Sequence, residues 1–239
     1  MANIFTKRGQ EAKESMNKGQ VDLKKVYIRL KEDESVRVRV LGSFDYVEYL
    51  SVGDFNLGIY TQPSLLPLGQ ADAFDEAKAI AEELAGDNEE HELFPFTRLY
   101  PKKRYVFAFA DIDTGEIRVW DCSKNQAKKV IKQIEEYKED LQEIAFNFKR
   151  TGTGRDTDYS LNPILRLKGD DQAKFEKFEG VEVTDDIFNT VLVARTYEQQ
   201  VEALKGAGFP VDEHFNVEAT ENEGQEEQGE GEQDPTGAF

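Results

Sequence analysis

Apolar and polar residues alternate along several short stretches of this chain, and such alternation is typical of β-strands with one buried face. In residues 36–41 it places three valines on one face and leaves Arg37 and Arg39 on the other. Further stretches of β character lie at residues 26–30, 46–50, 102–111, 116–121, 144–150 and 159–167. The turn sequence at residues 113–115 joins two of them into the clearest hairpin of the chain.

Two stretches show a stripe of apolar residues at helical spacing, and a third, residues 197–206, also reads as a helix. The stripe of residues 71–84 includes Phe74 and Leu84, and that of residues 123–139 begins at Ser123, a predicted helix cap. A short apolar run at residues 191–193 precedes the third helix. Short strands with a helix between the later ones predict an α+β fold that is mainly β. An oligonucleotide-binding (OB) type barrel with inserted helices is the first candidate.

Charge divides the chain into three parts. The whole chain has a formal charge of −18, but residues 1–25 carry a net charge of +3. Residues 212–239 hold ten acids and no Lys or Arg, which leaves −8 for residues 1–211. So many like charges and so few apolar groups predict disorder. We therefore predict a basic N-terminal arm (1–25), a folded core (26–211) and a disordered acidic tail (212–239).

The acidic tail ends with an aromatic residue. Phe239 follows Asp234 by five positions and places a phenyl ring beside a free carboxylate. Such an end suits a partner's pocket that is ringed by Lys or Arg. The alternative is a tail that only improves solubility.

The composition argues against several classes of protein. No stretch is long and apolar enough to cross a membrane, and the first twenty residues lack the apolar segment of a signal peptide. The single cysteine, Cys122, excludes an internal disulfide and fits a reducing cytoplasm. With only two histidines the chain has no zinc ligand set of the usual kind, and it contains no phosphate-binding or nucleophile motif. We expect no metal, no cofactor and no enzymatic activity.

Cations interleaved with aromatic residues are the positive indication of function. Those of the predicted hairpin are Lys102, Lys103, Arg104, Tyr105, Phe107, Arg118 and Trp120. Aromatic rings stack on unpaired bases while Lys and Arg contact phosphates, so the combination suits single-stranded nucleic acid. Tyr105, Phe107 and Phe109 share one face, which is also the pattern of a barrel core, and both interpretations remain open.

Alternation also predicts which side chains of two strands are exposed. Ile117 and Val119 supply an apolar face, which predicts a partly exposed Trp120 beside Arg118 on the other face. By the same alternation, Arg37 and Arg39 are candidates for phosphate contact or belong to an ordinary solvated surface.

The loop after residue 148 combines the glycines Gly152 and Gly154 with cations. Its candidate nucleic-acid contacts are Lys149, Arg150, Arg155 and Tyr159. Glycines let backbone amides approach a phosphate closely. The alternative is an ordinary hairpin turn.

The chain resembles the single-stranded DNA-binding proteins of tailed bacteriophages. The resemblance lies in residues 5–9 with the charged arm, residues 102–120, residues 148–163 and the acidic tail. It implies an OB-fold core that coats single-stranded DNA in replication, recombination and repair, within the cytoplasm of an infected bacterial host. It also implies a tail that recruits DNA polymerase, primase or helicase. Lys7 and Arg8 of the arm would contact a neighbouring protomer. Some members carry a structural zinc, whose ligands this chain lacks.

Two other functions compete with this one. The protein is either an adaptor that docks partners through its tail, or a DNA mimic that binds DNA-handling enzymes through its carboxylates. Neither explains the cations and aromatics of the hairpin. Because the core is acidic, DNA binding requires that the cations cluster locally. The mobile tail would then compete with DNA for that cluster at low salt.

Overall fold

The protein is built on a seven-stranded antiparallel sheet. The computed structural model describes residues 23–215. Its strands are β1 (Ser35–Arg39), β2 (Tyr46–Asp54), β3 (Ile59–Pro63), β4 (Lys102–Asp111), β5 (Glu116–Ser123), β6 (Ala145–Thr151) and β7 (Asp158–Ile164). Its helices are α1 (Leu23–Val26), α2 (Ala73–Ala85), α3 (Lys124–Glu136), α4 (Asp170–Glu176), α5 (Asp185–Val191), α6 (Tyr197–Gly206) and α7 (Val211–His214). The predicted α+β class, with an antiparallel sheet as its main part, is confirmed.

The longest strand, β4, is the centre of the sheet. Along one edge it pairs first with β2 and then with β1, and along the other it pairs with β5. Across the sheet the strands follow the order β3-β2-β4-β1-β6-β7, and β5 pairs with β4 outside this order. The sheet curls, since the ring of Trp120 on β5 lies 4.8 Å from that of Tyr159 on β7. Helix α3 packs between these two strands, and the Leu161 amide of β7 donates to the Gln133 side chain of α3.

Strand β4 is buried on both faces. Phe107 and Phe109 point into the core that the curled sheet and α3 enclose, together with Trp120. On the opposite face, Val106 and Ala108 are covered by apolar side chains of α5. A strand between two hydrophobic layers loses the exposed polar face that simple alternation predicts.

Two short segments cover the rest of the sheet. Phe175 of α4 packs against the Arg39 guanidinium of β1, and Phe178 just after it covers Ala110 at the end of β4. Residues 27–28 lie along β5, where the Ile28 amide donates to the Val119 carbonyl at 2.7 Å. This contact protects part of the edge of β5 from pairing with other strands.

The β2–β3 hairpin belongs to a separate cluster with α2, α6 and α7. A bulge at Gly53 bends β2 there, and a side chain at this position would meet the Thr61 backbone at 2.8 Å. The cluster continues to Phe215, which is 8 % exposed. Residues 212–215, predicted to belong to the disordered tail, are therefore part of the folded body.

Most elements predicted from the sequence are present. The strands expected at residues 36–41, 46–50, 102–111, 116–121, 144–150 and 159–167 are confirmed within a few residues, and so are the three helices. Ser123 caps α3 through a capping box with Gln126, as predicted. Strand β3 and helices α1, α4, α5 and α7 were not predicted.

Two local predictions are wrong. Residues 26–30 are not a strand, because only Tyr27 forms a bridge to β5 and Arg118 takes the carbonyls of Lys25 and Tyr27. Leu84 is half exposed, because Ala85 completes the buried stripe of α2.

The burial of Trp120 gives a first test. Trp120→Ala is expected to lower the free energy of unfolding by about 3–5 kcal/mol, because it removes a large ring from the core. Phe44→Ala is the control; Phe44 is 83 % exposed, so its loss is expected to change stability by at most about 0.5 kcal/mol. Urea unfolding followed by far-UV circular dichroism measures both. Equal stability of the two variants would contradict the packing.

Candidate nucleic-acid interface

The aromatic residues of the hairpin form the core rather than a stacking surface. The prediction of a partly exposed Trp120 is wrong: its side chain is 2 % exposed and contacts Phe107, Phe148 and Tyr159. Phe107 is 1 % exposed and is likewise unable to stack on a base. Both faces of β5 are buried: α5 covers the face of Ile117 and Val119, and Trp120 on the other face is part of the core.

Two aromatic candidates remain partly accessible at the edge of this core. Tyr159 is half-buried and stacks on Phe148, with ring centroids 5.5 Å apart. Tyr105 packs at the margin of the core and donates its hydroxyl hydrogen to Glu48. This hydrogen bond raises the pKa of Tyr105 above its usual value. Tyr105 shares the Glu48 carboxylate with the exposed Lys103.

The two arginines of β1 do not form a solvated strip. Arg39 is 2 % exposed, and its guanidinium donates to the Phe175 carbonyl at 2.9 Å and to Oε1 of Gln142 at 2.7 Å. Burial lowers the pKa of Arg39. Arg37 pairs with Asp113 and Asp171. The proposed phosphate contact of Arg39 is wrong, because α4 covers this side of the sheet.

Arg118 and Arg104 are also held by carboxylates. Nη1 of Arg118 lies 2.8 Å from Oδ2 of Asp111, a buried residue whose other oxygen accepts the amides of the hairpin turn. Nε of Arg104 lies 3.0 Å from Oδ1 of Asp121, which also accepts from Tyr49. These arginines organise the hairpin and the outer face of β4.

Lys102 and Lys103 lie on opposite faces of β4. Lys102, next to Arg104 on the outer face, packs its ammonium group over the ring of Tyr100 at 4.5 Å. Lys103 lies on the same face as Tyr105, and its ammonium group is 2.7 Å from Oε1 of Glu48. The sequence cluster is therefore divided by the pleat of the strand.

The loop after β6 contributes one freely exposed cation. Lys149 pairs with Asp33 at 3.0 Å, and Arg150 donates to the Leu30 carbonyl at 2.7 Å. Gly152 has a positive φ, and a side chain there would meet the Asp156 carbonyl oxygen at 2.4 Å. This glycine thus serves the turn itself, which favours the ordinary hairpin interpretation. Arg155 alone among the predicted cations of this loop points into solvent without an ion pair in the described structure.

Arg155 lies beside a groove between α3 and the start of β7, which we call the α3–β7 groove. Its walls contain Ser123, Asn125, Gln126, Lys128, Lys129, Gly154, Arg155, Thr157 and Asp158. Three of these residues are cations, and the only acid, Asp158, pairs with Lys129 at 2.8 Å. The groove can bind an extended anion.

Lys103 lines a separate groove together with Glu48. Ser123, at the wall of the α3–β7 groove, is the cross-strand partner of Arg104, so the start of β4 adjoins the start of α3. Lys124 lies close enough to Glu48 to lower the pKa of that carboxyl, although the hydrogen bonds from Lys103 and Tyr105 contribute more. We call Lys103, Lys124, Lys128 and Arg155 the basic band.

Lys124, Lys128 and Lys129 were not predicted as site residues. A signal was present, since α3 carries Lys124, Lys128, Lys129 and Lys132 before its first acid, Glu135. Cations in the first turn of a helix oppose the helix dipole and so disfavour the helix itself. Their position there points to a role outside helix stability.

Four of the predicted site residues lie beyond the described part of the chain. Lys7, Arg8, Asp234 and Phe239 lie outside residues 23–215. Within that range no group of three His, Cys, Asp or Glu side chains could hold a metal ion. No helix in the same range is sufficiently long and apolar to span a membrane. Cys122 is buried, and burial raises the pKa of its thiol.

No family model matches the sequence, and no curated protein is significantly similar to it.

The roles of the two classes of arginine can be separated experimentally. Arg39→Ala is expected to lower the free energy of unfolding by about 1–3 kcal/mol, because the Phe175 carbonyl and the Gln142 amide lose a buried partner. The exposed Arg155→Ala is expected to stay within about 0.5 kcal/mol of the wild type. Urea denaturation of both proteins measures the difference. A fully stable Arg39→Ala protein would show that Arg39 has no structural role.

Proposed function

We propose that this protein binds single-stranded DNA without sequence preference and coats it during phage DNA replication, recombination and repair. The observation that carries the proposal is the basic band. Lys124, Lys128 and Arg155 are exposed, and none of them is in an ion pair among the described residues. Lys128 and Arg155 line the α3–β7 groove, and Lys124 lies one turn before Lys128 on α3. In a chain of formal charge −18, these cations create a local positive potential.

The strand pairing supports an OB-type barrel. If β1 and β2 count as one bent strand, it pairs with β4 and with β6, while β4 also pairs with β5 and β6 with β7. Helix α3 connects the third strand of this set to the fourth. OB folds bind oligonucleotides with the face of their second and third strands and with the loops beside it. Arg155 lies in the loop between the fourth and fifth strands.

The outer face of β4 and β5 is covered by α5, so DNA is expected to follow the end of the barrel instead. There the basic band runs from the start of β4 across the first turns of α3 to the β6–β7 loop. Lysine and arginine at such a surface bind phosphates through counterion release and read no sequence. With the core aromatics buried, stacking contributes less than phosphate contact.

Binding is tested by titrating a labelled dT oligomer of about 30 nucleotides and a duplex of the same length, at low and moderate salt. We expect binding to the single strand alone, with a log–log salt slope of about −2 to −3 for three to four phosphate contacts. Anisotropy of the labelled DNA is the readout, because the buried Trp120 is a poor reporter.

The site is located with a charge-reversed pair. Lys128→Glu with Arg155→Glu is expected to weaken binding by at least tenfold, because both cations line the same groove. Lys138→Glu with Lys168→Glu is the control with the same change of net charge. Lys138 follows the C-terminal end of α3 and Lys168 follows β7, each about 15–20 Å along its element from the groove. An equal loss of DNA affinity in the two double variants would show that the α3–β7 groove is not the binding site. If the wild type does not bind DNA at all, the adaptor function is favoured instead.

We also propose that the acidic tail, through Asp234 and Phe239, recruits polymerase, primase or helicase, and that Lys7 and Arg8 contact a neighbouring protomer on DNA. The composition of the two ends supports both roles. Because the folded body extends to Phe215, a truncation that tests the tail must begin after this residue.

Two truncations test the tail. A chain ending at Phe215 is expected to keep its stability and to bind single-stranded DNA more tightly at low salt, because it loses a competing polyanion. A chain ending at Val211 is expected to lose a further ~1.5–3 kcal/mol, because it lacks the buried Phe215 ring. Thermal unfolding and anisotropy measure the two effects. Unchanged affinity of the first chain at low salt would exclude competition by the tail.

A further inference from the structure

Glu48 occupies a position at the end of the barrel that suits an anion. It lies on β2 directly opposite Tyr105 of β4, and Lys103 is the next residue but one along the same face. Its carboxylate accepts from the Lys103 ammonium group at 2.7 Å and from the Tyr105 hydroxyl. Lys124 follows Ser123, the cross-strand partner of Arg104, so it begins α3 beside this end of β4. The hydrogen bonds from Lys103 and Tyr105, and to a smaller extent the charge of Lys124, lower the pKa of Glu48. Two donors, one of them a cation, and a second cation thus surround one exposed acid.

This arrangement differs from the other ion pairs of the basic surface. In the α3–β7 groove, Asp158 accepts from a single cation, Lys129. Arg104, by contrast, is tied to a half-buried acid on the outer face. Glu48 has a side chain that is 40 % exposed, and that of Lys103 is 55 % exposed. An exposed ion pair of this kind holds its partners weakly and exchanges them readily.

We propose that Lys103, Tyr105 and Lys124 form a subsite for a DNA backbone phosphate, and that the Glu48 carboxylate fills it in the free protein. A phosphate oxygen accepts the same hydrogen bonds as a carboxylate oxygen and carries comparable charge. The proposal rests on the proposed DNA binding and adds to it a residue that opposes binding. Each strand that enters this part of the basic band displaces Glu48 from Lys103 and Tyr105.

The geometry explains why the subsite is placed here. Tyr105 is fixed by its packing at the margin of the core, so its hydroxyl is held in position before a ligand arrives. Lys124 begins α3, and the capping box at Ser123 fixes that end of the helix. Lys103 and Glu48 are the two members of this group whose side chains project from strands into solvent. Displacing Glu48 therefore requires a side-chain movement and no change of the backbone.

The test compares two glutamates with lysine partners. Glu48→Gln removes the competing charge, while Glu82→Gln makes the same change on α2, where Glu82 pairs with Lys78 at 2.6 Å. With labelled dT oligomer at low salt, we expect Glu48→Gln to bind about threefold to tenfold more tightly than Glu82→Gln. We also expect its salt slope to be steeper by about 0.7, the value for one more phosphate contact.

A double-mutant cycle identifies the displaced partner. Lys103→Ala is expected to weaken binding little in the wild type, where Glu48 neutralises Lys103, and at least threefold more in the Glu48→Gln background. The Tyr105→Phe substitution is expected to follow the same pattern. Additive effects of Glu48→Gln and Lys103→Ala would overturn the subsite.

The outcomes separate this inference from the proposed function. Equal affinity of Glu48→Gln and Glu82→Gln, with intact binding by the wild type and loss in the Lys128→Glu/Arg155→Glu protein, overturns the subsite alone. No binding by the wild type or by Glu48→Gln overturns both. Tighter binding by Glu48→Gln with unchanged thermal unfolding supports the subsite.

Discussion

Strand β4 lies between two hydrophobic layers, and the strands on both of its edges satisfy its backbone hydrogen bonds. One layer contains Phe107, Phe109 and Trp120, and the other contains the side chains of α5 against Val106 and Ala108. A strand in this position has no wet face, so polar groups on it must be paired or must lie at its ends. Arg104 meets the first condition, and Lys103, near the start of the strand, meets the second. The candidate interface is therefore at the end of the curled sheet and not on its outer face.

The same constraint separates the cations of the protein into two kinds. Arg39 and Arg118 are enclosed, and each is held by several oxygen atoms that fix one geometry. Separating a buried charge from its partners costs free energy of folding, so these residues stabilise the fold and do not bind a ligand. Lys124, Lys128 and Arg155 lie on a helix and a loop outside the sheet, where solvent keeps the cost of an unpaired charge low. Cations of this second kind remain available to a ligand.

Local patterns predicted the strands but not the layers above them. The alternation in residues 116–121 correctly indicated β5, yet two faces of one strand can both be buried, and alternation alone does not reveal it. The helices responsible, α4 and α5, have seven residues each, which is too short for a clear apolar period. Arg39 was assigned to solvent for the same reason. Its partners Gln142 and Phe175 are more than one hundred residues away, and only tertiary structure brings them together.

About half of the residues of the candidate site could be predicted from the sequence. Lys103, Tyr105 and Arg155 were identified by their neighbours in the chain, because the aromatic and glycine patterns drew attention to them. Lys124 and Lys128 have no such neighbours. Only the packing of α3 beside the β6–β7 loop shows that they belong to the candidate site. The opposing acid, Glu48, comes from a strand more than fifty residues away from Lys103 and Tyr105.

An acidic protein that binds a polyanion must limit repulsion to the part of its surface that the ligand does not touch. Here more than half of the excess of acids lies in residues 212–239, while the basic band is short and has one acid, Glu48, at its edge. Coulomb forces between exposed charges are screened within about 8 Å at physiological salt, so the distant acids weaken binding little. Glu48 lies well within that distance of Lys103 and acts on the ligand at full strength. The affinity of such a surface is thus set mainly by the few charges in contact with the phosphates, and a single carboxylate among them counts for more than the net charge of the whole chain.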